Sequence, residues 1–61
     1  MQTVYILQAQ GLGDDEYAYE SIGVYSSREN ADNALQNFTR DFVSEAGFAV
    51  ATRIDEFELN A

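Results

Sequence analysis

The segment Val4-Tyr5-Ile6-Leu7 is apolar on both sides of any strand it forms, with Val4 and Ile6 on one face and Tyr5 and Leu7 on the other. The β-branched and aromatic residues between Thr3 and Gln8 favour an extended conformation. A strand of this kind belongs at the centre of a sheet, covered twice. Yet the chain has 61 residues, and only one other segment is patterned to cover a sheet. Chains of this size bury roughly 60% of the surface exposed when unfolded. A central strand that needs two covers, in a chain that supplies one, is the constraint from which the rest follows.

The cover is a helix. Ser26-Ser27-Arg28-Glu29 fits a capping box, in which a serine hydroxyl and a glutamate carboxylate each satisfy a free amide. Ala31, Ala34, Leu35, Phe38, Phe42 and Ala46 then recur at helical spacing, with Asp32, Asn33, Gln36, Asn37, Arg40, Asp41 and Ser44 opposite. Gly47 supplies a C-terminal stop. The spacing predicts a helix from about Ser27 to Ala46, roughly 30 Å long.

Two more strands flank it. Gly11-Leu12-Gly13-Asp14-Asp15-Glu16 is rich in turn formers and reads as a loop. Tyr17 to Tyr25 then reads as the second strand, with Ile22 and Val24 on one face and Tyr19, Ser21, Gly23 and Tyr25 on the other. Gly23 leaves space beside an aromatic neighbour or marks a bulge. Phe48 to Leu59 reads as the last strand. Phe48, Val50, Thr52 and Ile54 alternate on one face before Phe57 and Leu59 fall on the other. Such a slip flips the buried set. A bulge near Asp55-Glu56, or a partner covering both faces, would repair it.

Over one domain of residues 1–61, the order β-β-α-β predicts an α+β fold. A right-handed crossover gives a three-stranded, mainly antiparallel sheet in the order 2-1-3, with the helix packed on one face. The other face is expected to show Tyr5, Leu7, Tyr19, Tyr25, Phe57 and Leu59 as an apolar, tyrosine-rich interface.

Composition narrows function by exclusion. Eleven acids face three arginines, there is no lysine, histidine, cysteine, tryptophan or proline, and the formal charge is −8. Disulfides, thiol catalysis and thiolate or imidazole metal sites are therefore absent, and no cofactor is expected. Nucleic acids and anionic membranes need cations that the chain lacks, whereas a basic protein surface would be attracted. A hydrophobic fraction of 46% is too high for a disordered acidic tail. The longest apolar run falls far short of the roughly 20 residues that span a bilayer. Met1-Gln2-Thr3 carries no basic residue and does not read as a secretory signal, so a cytoplasmic protein is expected.

The motifs that suggest chemistry dissolve under their spacing. Asp14, Asp15 and Glu16 lack the alternation of a calcium loop and read as a solvated turn. Asp55, Glu56 and Glu58 read as charge guarding a strand edge rather than an acid/base pair. Together the two groups form the expected acidic surface. Gly11 and Gly13 are not followed by the Lys or Ser/Thr of a phosphate loop. Ser26 and Ser27 have no base to activate them. Arg28 is spaced to pair with Asp32, and Arg53 stands beside Asp55. Tyr17, Tyr19 and Tyr25, at even spacing on one face, either cover the sheet, fill a dimer interface or form a protein-recognition patch. An enzyme is not expected.

Val4-Tyr5-Ile6-Leu7-Gln8, Ile22-Gly23-Val24-Tyr25-Ser26-Ser27 with the following Glu29, Ala31 and Ala34, and the closing Ile54-Asp55-Glu56-Phe57-Glu58-Leu59 resemble a family of very short bacterial and phage proteins. That family is known only as a domain of unknown function. The resemblance spans nearly the whole chain and is weakest from Asp41 to Ala51. It implies a fold of this element order and residence on phages or other mobile elements, and it supplies no functional residues. The leading expectation is a non-enzymatic accessory protein that binds another protein, as a homodimer. A second is a nucleic-acid mimic whose carboxylates block a basic groove. A third is a small-ligand or metal-binding module in a dimer cleft, with Tyr5, Tyr25, Asp55 and Glu56 as its residues.

Overall fold

Strand β1 spans Gln2–Gln10, β2 spans Tyr19–Tyr25, helix α1 spans Arg28–Ala46 and β3 spans Thr52–Leu59. These come from a computed structural model, which describes residues 2–59. The sheet order is β2-β1-β3, and both outer strands run antiparallel to β1. The α+β arrangement is the one the element order predicts, with the doubly apolar strand at the centre.

The boundaries differ from the pattern where local hydrogen bonds compete. β2 starts at Tyr19 because the preceding residues close a turn: Asp15 accepts from the Tyr17 amide through Oδ1 (2.9 Å) and from the Ala18 amide through its carbonyl (3.2 Å). Tyr17 is therefore a loop residue, 77% exposed, and does not continue the strand. β3 starts at Thr52 rather than Phe48, which instead sets its ring edge-on to Phe42 with centroids 5.5 Å apart.

At the head of α1, the Ser27 hydroxyl accepts from the Asn30 amide at 3.1 Å. The cap sits one residue beyond Ser26 and Asn30 occupies the third helical position, so the box expected from Ser26 and Glu29 is not the one formed. Gly47 ends the helix in the left-handed region (φ 83°) and donates to the Val43 carbonyl at 2.9 Å.

The core lies between β1 and the first half of the helix. Among the described residues only Leu7, Ala9 and Ala31 are fully buried. Leu7 and Ala9 share one face of β1, and Ala31 is the buried residue of α1. Burying one leucine is worth about 2 kcal/mol, so this centre is small. Phe38 and Phe42, with centroids 5.6 Å apart, extend it along the helix without being fully covered.

Register decides which side chains share the core side. Tyr25, Val24 and Gly23 pair with Tyr5, Ile6 and Leu7, whereas Ser21, Glu20 and Tyr19 pair with Gln8, Ala9 and Gln10. Ile22 is the extra residue of a β-bulge, and the facing of β2 is reset across it. Along β3 the pairing with β1 runs without interruption from Leu59 to Thr52. No bulge repairs the change of pattern near Asp55-Glu56.

Candidate interaction surface

Residues opposite one another in an antiparallel ladder share a face. Leu7, Ala9 and Ala31 mark the helix side. On that side lie the rows Tyr25–Tyr5–Glu56 and Gly23–Leu7–Ile54, followed by Ala9–Thr52. The open side carries Val4–Phe57, Val24–Ile6–Asp55, Ser21–Gln8–Arg53 and Tyr19–Gln10. The molecule measures 40 × 24 × 11 Å along its principal axes, thin enough that one sheet face has no layer over it.

The six residues expected on that open face are divided between the two sides. Tyr19, Phe57 and Leu59 are on it, but Leu7 is 1% exposed in the core, and Tyr5 and Tyr25 share its side. The bulge at Ile22 separates Tyr19 from Tyr25, and so also undoes the single tyrosine face. In place of Tyr5, Leu7 and Tyr25, the open face shows Val4, Ile6 and Val24, the last 62% exposed. A signal for this was present in β1. The Val4/Ile6 face continues into Gln8 and Gln10, whereas the Tyr5/Leu7 face continues into Ala9, the side chain a helix can sit on.

Phe57 and Leu59 reach the open side because β3 stays regular. The helix begins just after Tyr25, at the row that includes Tyr5 and Glu56. Glu58, one row further along, lies past the helix start and stays in water. Phe57 and Leu59 are 57% and 46% exposed. With Val4, Ile6 and Val24 they make one apolar end of the open face.

The other end is polar and ordered. Arg53 reaches across β1 and places its guanidinium 4.1 Å from the centroid of the Tyr19 ring. Its Nε donates to Gln8 Oε1 and lies 3.6 Å from Asp55 Oδ2. Beyond it, Gln10 Nε2 donates to the Tyr17 carbonyl at 2.9 Å.

Arg53 and Asp55 are the only charged residues among the described side chains of the open face, whose net charge is therefore zero. The remaining ten acids and two arginines lie in the first loop, on the helix and on the helix side of the two outer strands. Asp14, Asp15 and Glu16 are exposed in the turn, at the end of β1 opposite to Glu56 and Glu58. Asp55 and Glu56 point to opposite faces, so of the residues considered for a ligand site only Tyr5, Tyr25 and Glu56 share a row. Among the described residues no pocket forms and no three acids gather as a metal site. No helix in that span is long and apolar enough to cross a membrane.

The model of a family described as a domain of unknown function (DUF7336) matches residues 2–61. The chain belongs to that family. No curated protein and no solved structure matches it. The family match takes in all four elements and both ends of the open face, so the apolar and polar ends are parts of one family domain.

Proposed function

We propose that this chain is a non-enzymatic accessory protein that acts in the cytoplasm by protein–protein binding and is assembled as a homodimer. The uncovered face of the sheet carries this reading. Val24, Phe57 and Leu59 stand more than 45% exposed beside Val4 and Ile6, on a protein whose fully buried side chains number three among the described residues. A contiguous apolar patch bordered by polar residues marks an interaction surface. A second chain is also the aid to stability open to a small domain without disulfides or metal. Residence on a phage or other mobile element rests on the sequence resemblance. Light scattering across a dilution series tests the reading. The expected mass is twice the 6.8 kDa of one chain, with a melting temperature that falls on dilution. A monomer at tens of micromolar, equally stable at every concentration, would overturn it.

A further inference from the structure

We infer that the second copy stacks on the open sheet face, giving a helix–sheet–sheet–helix sandwich, and does not extend the sheet edge to edge. This rests on the homodimer proposed above and specifies how it is built.

Two small sheets can associate through their edges or through their faces. Both edges here are unsuited to a further strand. β3 carries Glu56 and Glu58, which take no part in the three ion pairs among the described residues, and a second copy of that edge would bring them against like charge. β2 carries the bulge at Ile22, which kinks the strand and interrupts its row of outward amides. The face has neither obstacle. On a chain of net charge −8 it is neutral among the described residues, because the one cation and one acid they place there pair with each other at 3.6 Å. A second copy can approach there without bringing carboxylates against carboxylates. A basic partner would be drawn to the loop, helix and β3 edge, where the uncompensated acids are.

Three strands span about 14 Å and seven residues about 23 Å, a flat footprint of roughly 320 Å² per copy, so a stacked dimer would bury upwards of about 640 Å² once side-chain relief is added, the size of a small, weak interface. Val4, Ile6, Val24, Phe57 and Leu59 would form its dry centre, as in other aligned sheet packings. The Arg53–Tyr19 end would lie at the wet rim.

Salt gives the association its sign. Two chains of −8 repel at long range, and added salt screens that repulsion while leaving apolar contact intact. The dimer should therefore tighten severalfold between 20 mM and 500 mM sodium chloride, values chosen to span Debye lengths of roughly 20 Å to 4 Å. Binding through acids to a basic protein would weaken over the same range.

The experiment combines sedimentation equilibrium with hydrogen exchange on the full chain. The expected result is a dimer dissociating at least tenfold more readily in Val24→Glu and in Phe57→Glu, with Glu56→Lys unchanged or tighter. In the wild-type dimer the outward amides of β2 and β3 should exchange as fast as in the dilute monomer, a readout that does not depend on any variant folding. A dimer whose edge amides become protected on association, or one unaffected by Val24→Glu and Phe57→Glu in folded protein, would overturn the stacked arrangement while leaving the homodimer standing. A monomer under every condition would overturn both.

Discussion

The Tyr25 ring lies across Gly23 on the helix side of β2: a methyl group placed on Gly23 would stand 2.5 Å from the Tyr25 hydroxyl oxygen and 2.7 Å from its ring carbon Cε2. The glycine is thus required by its neighbour two residues along, and not by its own backbone angles, since Gly11 and Gly47 are the glycines with positive φ. Gly23→Ala should cost about 1–3 kcal/mol, the range for overpacking a filled site. Replacing Tyr25 by serine as well should return part of that loss. A double-mutant cycle by urea denaturation gives the coupling. Additive effects would mean that the ring turns aside without cost.

Among the described residues Leu7 is the one large side chain buried completely, and Ala9 and Ala31 are the other two fully buried residues. Leu7→Ala should destabilise by about 3 kcal/mol or more, since the lost transfer energy is joined by that of the cavity. The whole chain is expected to be stable by only about 3–9 kcal/mol at 0.05–0.15 kcal/mol per residue. Circular dichroism of this variant should show a partly or wholly unfolded chain at 37 °C. A melting curve matching wild type would contradict the placement of the core.

Ser26 and Ser27 provide a control of adjacent, chemically identical residues. The Ser27 hydroxyl caps the helix, so Ser27→Ala should cost about 1 kcal/mol. Ser26 is exposed, and Ser26→Ala should change stability by less than about 0.5 kcal/mol. Thermal melts of the two variants read the difference directly, and equal effects would place the cap elsewhere.

The Arg53–Tyr19 contact should be measurable but modest. The Arg53 side chain is 53% exposed, and an exposed cation–π pair is worth about 0.5–1 kcal/mol. A cycle with Arg53→Met and Tyr19→Leu should yield a coupling of about 0.5 kcal/mol. Salt should affect it less than the Arg28–Asp32 pair on the helix surface, at 3.3 Å. Zero coupling would show that the guanidinium does not rest on the ring in solution.

Much of this architecture could be read before any coordinates. The apolar stripe from Ala31 to Ala46, the glycine stop at Gly47 and the two-faced Val4–Leu7 segment suffice for the helix, its end and the central strand. Strand order followed from the short first loop and the single crossover. The division of side chains between faces was not legible, because periodicity says which residues are together and not which side a helix will choose. One unpaired residue at Ile22 was enough to move Tyr19 and Ser21 to the side opposite Tyr25. The cap slipped by one residue for a related reason: two adjacent serines fit the same role, and only the geometry of the turn selects between them.

The bulge has a meaning for chain length as well. Ile22 is the one residue of β2 that stands outside the pairing with β1 between Tyr19 and Tyr25, so the six cross-strand pairs would keep their partners if it were deleted. A homologue one residue shorter at this point would therefore be a conservative relative in its pairing, yet would present a straight outer edge ready to accept another strand. In the stacked arrangement inferred above, Ile22 is a spacer whose contribution is to what the protein does not join.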